Sequence, residues 1–311
     1  MKKPLIALVS CVVLGIAVYA LWPTDSPSSD GTSLRLFVTL TDTRPEAHTR
    51  TGSGGLPWNT LRSAVSTDGY NFTFDDQEWL TSDDMADPAV AVDSDGTWVV
   101  ASGTGTSSLR AAATEGCPIF SDFPEVLKGG GIPDLLPVSG GFRMYYSGDG
   151  GILSAFSSDG ETFTKDSGLR LATPSWLSLV ADPTVAQRSD GTYVMYFKGT
   201  EGIAKSPYEH LLYRATSEDG LQWTAEEEML IPHVSVPGAY TDESGTVWVY
   251  YLNFEEWPNE RESVWATYEL PDGSLAEPGL VTFTPTMETY LWANDPDPVL
   301  VPNGVDLEEC E

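Results

Sequence analysis

The sequence predicts an all-β fold, a five-bladed β-propeller built from four-stranded antiparallel blades. Three observations support this prediction: the composition, the scarcity of helical periodicity, and a repeat of about fifty residues. The 311 residues include 13 Tyr, 11 Phe and 10 Trp beside 29 Gly and 22 Pro. This composition is typical of short strands joined by tight turns. After the N-terminus, no long stretch has apolar residues every three to four positions.

Each repeat begins with one hairpin and continues with a second. The openings lie at Asp87-Pro88, Pro133-Asp134, Asp182-Pro183 and Val236-Pro237, and again at Asp295 or Asp297. The clearest second hairpins contain a Ser-x-Asp-Gly turn and a later aromatic residue, at Asp68-Gly69 with Phe72, Asp159-Gly160 with Phe163, and Asp219-Gly220 with Trp223. Asp-Gly pairs supply the positive φ angles of tight hairpins, so we interpret these turns as structural. Four strands at this spacing describe one propeller blade.

The two ends of the chain are predicted to share one blade. The last opening is followed by a single strand, and the segments 34–38, 61–65 and 72–74 supply the strands that this blade lacks. We therefore expect the C-terminal strand to close the ring against N-terminal strands, because closure removes an exposed edge. The first strand of each blade should line the central channel. Its N-terminal end should share one face with the loop between the second and third strands, opposite the Asp-Gly turns.

The first 22 residues are predicted to direct export. Lys2 and Lys3 precede an apolar run from Leu5 to Trp22, which is typical of a signal peptide and is also long enough for a retained membrane anchor. Residues 23–32 are interpreted as a flexible linker and residues 33–311 as the propeller. We expect a monomer that is periplasmic, extracellular or anchored to the outer face of a membrane.

The net charge of −30, from 46 acidic and 16 basic residues, argues against nucleic acid as a partner. It is typical of a protein that stays soluble in a saline or extracellular setting. In an exported chain, Cys117 and Cys310 can form one disulfide, and two free thiols are the alternative.

The openings Ala86-Asp-Pro88 and Ala181-Asp-Pro183, the Asp-Gly hairpins and Trp292-Ala-Asn-Asp-Pro296 resemble one known group of enzymes. This group is the five-bladed glycoside hydrolase superfamily of arabinanases, levansucrases and invertases, of the family 43 type. The similarity covers residues 33–305, and its motifs are specific for the fold more than for an activity. Sialidases are a competing resemblance, but their turn has one more residue between Asp and Gly, and they have six blades.

The resemblance implies a central pocket with an Asp as base or nucleophile, a second Asp that orients or stabilises, and a Glu as acid. By position, the catalytic candidates are Asp87, Asp134, Asp182, Asp297 and Glu201. Glu201 lies on a middle loop and would replace the Glu that the third opening lacks. The implied function is hydrolysis of an extracellular oligo- or polysaccharide. The alternative is a propeller that binds carbohydrate or protein and has lost the general acid.

Further residues are predicted to reach the same face and to bind substrate. They are Trp58, Trp176, Trp257, Trp292, Arg50 and Asp295. Aromatic faces stack on sugar rings, although each Trp could instead pack between blades. The three histidines have no metal-ligand spacing, and no cofactor motif occurs. Oxygen ligands alone can hold calcium, so the sequence leaves open whether the channel binds a structural Ca²⁺.

Overall fold

The computed structural model describes residues 32–42, 59–82, 85–104, 107–120, 123–255, 263–284 and 290–302, together with Leu307 and Cys310. Within these ranges the chain forms 23 β-strands in five sheets, and one turn of 3₁₀ helix at Pro207–Glu209. No helix in this part of the chain is long and apolar enough to span a membrane. The predicted export segment and linker lie outside the described residues, apart from Thr32.

Blades 2 and 3 follow each other along the chain. Blade 2 contains β4 (Ala86–Val92), β5 (Thr97–Gly103), β6 (Ser108–Glu115) and β7 (Glu125–Lys128). Blade 3 contains β8 (Gly131–Val138), β9 (Gly141–Gly148), β10 (Gly151–Ser157), β11 (Thr164–Lys165) and β12 (Leu171–Ala172). In blade 3 the two short strands β11 and β12 both pair with β10, so the outer edge of the blade is divided between them.

Blades 4 and 5 repeat this plan. Blade 4 contains β13 (Leu179–Gln187), β14 (Tyr193–Thr200), β15 (Leu211–Ser217), β16 (Thr224–Ala225) and β17 (Ile231–Pro232). Blade 5 contains β18 (Val234–Thr241), β19 (Val247–Asn253), β20 (Ser263–Tyr268) and β21 (Gly279–Leu280).

Blade 1 joins the two ends of the described chain. It contains β23 (Tyr290–Val301), β1 (Ser33–Asp42), β2 (Asn59–Ser66), β3 (Asn71–Ser82) and β22 (Thr282–Thr284). β1 pairs antiparallel with β23, from Ser33 opposite Val301 to Asp42 opposite Tyr290. The innermost strands contact one another in a closed order, β23, β4, β8, β13, β18 and back to β23. The predicted five-bladed ring and its closure are both confirmed.

Apolar side chains fill the interfaces between neighbouring blades, in five clusters. The second strand of each blade lies between two neighbours, so both of its faces are buried and its sequence is apolar without alternation. β19 shows this clearly, since Tyr250 and Tyr251 point to opposite faces and both are buried. Each such aromatic ring removes about 150–250 Å² of surface from water. Burial between sheets, more than strand propensity, therefore holds the blades together.

Two of the Asp-Gly turns dock their blades on a neighbouring blade, which agrees with their structural interpretation. Asp159 accepts backbone N–H groups of Glu161 and Thr162, and these bonds lower its pKa to about 2. Gly69 and Gly220 have positive φ angles of 77° and 70°. Their carbonyl oxygens accept the hydroxyls of Tyr250 and Tyr145 from adjacent blades, at 2.9 Å each. A side chain at either glycine would be both strained and in the way.

A disulfide joins Cys117, just after β6 of blade 2, to Cys310 near the C-terminus. This confirms the bonded alternative for the two cysteines. The bridge adds a covalent link between blade 2 and the end of the chain that completes blade 1.

Candidate active site

Each innermost strand contains a β-bulge at a residue that precedes proline. The register of pairing shifts at each of these five places. The residues before proline all have positive φ angles, namely Asp87 (47°), Ile132 (52°), Asp182 (49°), Val236 (42°) and Asp295 (53°). Positive φ is uncommon outside glycine and is a true outlier for β-branched residues. Bulges re-aim side chains and strain concentrates at functional sites.

These five residues form what we call the first level of a central cavity. Their side chains and the following prolines line it, and so do Asp134 and Asp297 from a second level two residues further along the strands. Around the ring the first-level order is Asp295, Asp87, Ile132, Asp182, Val236. Two carboxyl groups are therefore neighbours, while Asp182 is flanked on both sides by apolar residues. The arrangement places an isolated carboxylate across the ring from a carboxyl pair.

The cavity is narrow. It measures about 30 Å³ when counted as the space open to the centre of a water molecule, and one water needs roughly 10–15 Å³ on that scale. It therefore has room for about two waters. A sugar ring would have to lie above it and reach the carboxylates through a few of its atoms.

The placement of Asp134 corrects one expectation from the sequence. Ile132, not Asp134, is equivalent to Asp87 and Asp182, because it precedes the proline and carries the positive φ angle. Asp134 belongs to the second level, with Ala89, Thr184, Gly238 and Asp297 at the matching positions. The same comparison resolves the alternative at the closing strand in favour of Asp295 as the first-level residue.

Asp87 and Asp295 form a hydrogen-bonded pair in the first level. Asp295 accepts hydrogen bonds from the Asp87 side chain and backbone, and Oδ2 of Asp295 accepts the Thr39 hydroxyl at 2.6 Å. Burial raises the pKa of both groups, and the neighbouring charge of Asp295 raises that of Asp87 further. Two carboxyl groups can bond to each other only if a proton lies between them. Asp87 holds that proton and donates it to Asp295.

Asp182 has a different environment. The residue is 1% exposed, and its Oδ2 accepts three hydrogen bonds, from Lys198 Nζ at 2.6 Å, Ser235 Oγ at 3.1 Å and Val236 N at 3.2 Å. Its Oδ1 is buried and has no hydrogen-bond partner in the described structure. A buried acceptor without a partner costs free energy, so the site gains when a ligand atom donates to Oδ1.

The second-level carboxylates tie neighbouring blades together. Asp134 is 6% exposed and accepts Thr184 Oγ1 and Val185 N of blade 4, both at 3.0 Å. Asp297 accepts Val90 N of blade 2. Burial raises the pKa of both residues, that of Asp134 to about 7. Because both oxygens of Asp134 are bonded across the interface, its placement indicates a structural role.

Two of the other predicted residues, Glu201 and Trp176, are described and are not in the lining of the cavity. Glu201 is exposed on the loop after β14, and it accepts a hydrogen bond from Tyr213. Trp176 packs against the core between blades 3 and 4, with its ring centroid 5.1 Å from that of Tyr213. The remaining candidates lie outside the described residues, or their side chains do: Arg50, Trp58, Trp257 and Trp292. Their binding roles stay predictions.

Sequence reasoning missed Lys198, Ser235 and His210, which surround Asp182. The sequence alone does not mark Lys198 and Ser235, because their places in the blade repeat are defined only by the pairing of the bulged strands. Among the described residues, no group of three His, Cys, Asp or Glu side chains is arranged to hold a metal ion.

The described fold is a five-bladed propeller with carboxyl groups at its centre. No protein-family model matches the sequence, and the search of curated proteins found no match. Solved structures do match. A glycosyl hydrolase from Bacteroides ovatus superposes with a TM-score of 0.57 at 14% identity, covering 80% of this chain and 86% of the other.

Two further matches have the same fold. An endo-arabinase from Bacteroides thetaiotaomicron has a TM-score of 0.52 at 12% identity, over 64% of this chain and 81% of its own. A family 117 glycoside hydrolase from the marine bacterium Zobellia galactanivorans has a TM-score of 0.51 at 12% identity, over 65% and 71%. The resemblance stated from the sequence is thus confirmed at the level of the fold.

Proposed function

We propose that the protein is a glycoside hydrolase that acts on a neutral oligo- or polysaccharide at the mouth of the central cavity. One observation supports this most strongly. Asp182, a carboxylate that is paired with Lys198 and has one oxygen without a partner, lines the same cavity as Asp87, a carboxyl group that keeps its proton. Hydrolysis of a glycosidic bond requires one protonated and one ionised carboxyl group.

In this proposal Asp87 is the general acid. It transfers its proton to the glycosidic oxygen as the bond to the anomeric carbon breaks, and Asp295 stabilises the protonated form beforehand by accepting its hydrogen bond. Asp182 is the base or the nucleophile. As a base, its Oδ1 takes a proton from the water that attacks the anomeric carbon; as a nucleophile, Oδ1 bonds to that carbon and water later releases the sugar.

Charge supports a neutral substrate. The mouth carries the carboxylates of Asp182 and Asp295, and the whole chain has a net charge of −30. A uronic acid or a sulfated sugar would be repelled over a distance of about 10 Å at 0.1 M salt. The neutral class agrees with the substrate that the name of the endo-arabinase neighbour implies.

The proposal includes export. The segment 1–22 would act as a signal peptide or retained anchor, and the enzyme would then meet polysaccharide outside the cytoplasm. The Cys117–Cys310 disulfide supports this, because disulfides persist in oxidising compartments.

The test is a screen of neutral glycans and aryl glycosides for product by mass spectrometry, with Asp182→Asn and Asp87→Asn beside the wild type. Asp272→Asn, in an exposed turn far along the chain, is the matched control. We expect release by the wild type and the control, and at least a 10³-fold lower kcat in both site variants, a loss typical of an essential acid or base. Release by all four proteins would overturn the assignment.

A non-catalytic carbohydrate-binding propeller is the second candidate. Two observations favour it: apolar Ile132 and Val236 occupy two of the five first-level positions, and exposed Glu201 is bonded to Tyr213 outside the cavity. Binding by the wild type that is weakened in Asp182→Asn, with no release from any glycan, would select this function over hydrolysis.

A further inference from the structure

We propose that Lys198, Ser235 and His210 are positioning residues that hold the Asp182 carboxylate in one orientation, with Oδ2 bonded to the protein and Oδ1 left for a ligand. The inference rests on the proposed function, since it explains how one of several similar carboxyl groups becomes the base or nucleophile. Two observations support it: the contacts around Oδ2 of Asp182, and the presence of a cation beside the first-level carboxyl group in blade 4 only.

Lys198 distinguishes Asp182 from the other first-level carboxyl groups. In every blade, the residue just before the first-level position faces a cross-strand partner. These partners are Thr39, Gly103, Ser147, Lys198 and Leu252 in blades 1 to 5. Blade 4 alone places a cation there, and the Lys198 side chain is only 11% exposed. Gly103 offers Asp87 no such partner, so Asp87 bonds to Asp295 instead.

Ser235 and His210 fix the orientation of the carboxylate. The Ser235 hydroxyl donates to Asp182 Oδ2, and its oxygen lies 3.3 Å from His210 Nδ1. A hydroxyl has one hydrogen to donate, so Nδ1 must carry a hydrogen and donate to Ser235. Burial, followed by the charge of Lys198, lowers the pKa of His210, and the ring is therefore neutral near pH 7. The predicted tautomer is Nδ1–H.

These contacts restrict the Asp182 carboxylate to one orientation. With Lys198, Ser235 and Val236 N all bonded to Oδ2, rotation of the group would break three hydrogen bonds. Oδ1 then remains available for a substrate hydroxyl or the attacking water. Catalytic groups need this kind of support to stay within productive geometry.

The first test measures the tautomer and the pKa of the His210 imidazole by NMR and needs no substrate. The chain has three histidines, and His210→Gln assigns the signal. We expect the Nδ1–H tautomer in the wild type. Lys198→Met should raise the pKa of His210, because a neighbouring positive charge is removed, and Asp182→Asn should lower it, because a negative charge is removed. Glu209, the other charge acting on this ring, is unchanged in both variants.

His233, whose Nδ1 contacts the Tyr208 carbonyl, gives a second ring signal in the same spectra. An Nε2–H tautomer for His210, or a titration that neither variant moves, would overturn the network. This measurement does not depend on turnover. The positioning network can therefore be refuted while the proposed function stands, and the proposed function can be refuted while the network stands.

The second test uses any substrate that the screen identifies. Ser235→Ala and Lys198→Met should lower kcat at least tenfold with KM nearly unchanged, because they disorder a reacting group and not a binding surface. Ser235→Thr keeps the hydroxyl and should recover most of the loss. Equal kcat in all three variants and the wild type, or no recovery with Thr, would contradict a positioning role.

Discussion

Asp134 should make the protein less stable as the pH rises from about 4 to 7. Burial raises the pKa of this carboxyl group from 3.8 to about 7 in the folded protein. The folded state therefore binds a proton more tightly than the unfolded state does between these two values. The resulting stabilisation is fully present below the unfolded pKa and is lost as the pH rises through the folded one.

The size of the effect follows from the two pKa values. Their difference is about three pKa units, and each unit corresponds to about 1.4 kcal/mol. The upper limit is therefore about 4 kcal/mol of unfolding free energy. Hydrogen bonds from Thr184 and Val185 favour the ionised form and are already part of the pKa.

The assay is urea unfolding at several pH values between 4 and 8, for the wild type and Asp134→Asn. The variant cannot ionise at this position, so its unfolding free energy should fall less between pH 4 and 8 than that of the wild type. The two falls should differ by a few kcal/mol. Asp272→Asn is the control, because hydrogen bonds lower the pKa of Asp272 and it does not titrate in this window. Parallel curves for the wild type and Asp134→Asn would refute a protonated Asp134.

Three further predictions concern the ring. A Cβ at Gly238 would lie 2.1 Å from the Pro296 carbonyl oxygen, so Gly238→Ala should cost about 3 kcal/mol or more in urea unfolding. Gly202→Ala, which has open space around it, should cost under about 1 kcal/mol; equal losses would contradict the packing. Cys117→Ser should lower stability by up to about 5 kcal/mol, since the disulfide spans 193 residues, and an unchanged melting temperature would argue against the bridge. Glu269 accepts hydrogen bonds from Arg188, Arg214 and Tyr196; Glu269→Leu should cost about 1–3 kcal/mol, because Arg188 and the Tyr196 hydroxyl lose this acceptor while Arg214 keeps its ion pair with Glu226, and a neutral effect would exclude that network.

The fold could be predicted from the sequence because the sequence contains a repeated pattern. The Asp-Gly turns, the aromatic runs and the leftover C-terminal strand each followed from local rules of turn chemistry and burial. β1 pairs with β23 as expected, since leaving either strand alone would expose an edge.

The site could be read only in part. The sequence predicts Asp87 and Asp182 at strand openings but leaves Asp295 and Asp297 as alternatives, because both precede a proline. It also predicts Asp134 as the equivalent of Asp87, whereas the structure places Ile132 there. The bulge geometry that separates the two levels depends on strand pairing, which a single sequence does not display. The contacts that distinguish Asp182, from Lys198 and Ser235, join different strands and blades, so no local pattern predicts them.

The most direct measurement is a crystal structure of Asp182→Asn soaked with a glycan that the wild type cleaves. We expect an intact glycan at the mouth, with its glycosidic oxygen within hydrogen-bond distance of Asp87 and its anomeric carbon on the side of residue 182. A glycan bound away from the first-level residues, or cleaved in the crystal at the wild-type rate, would contradict it.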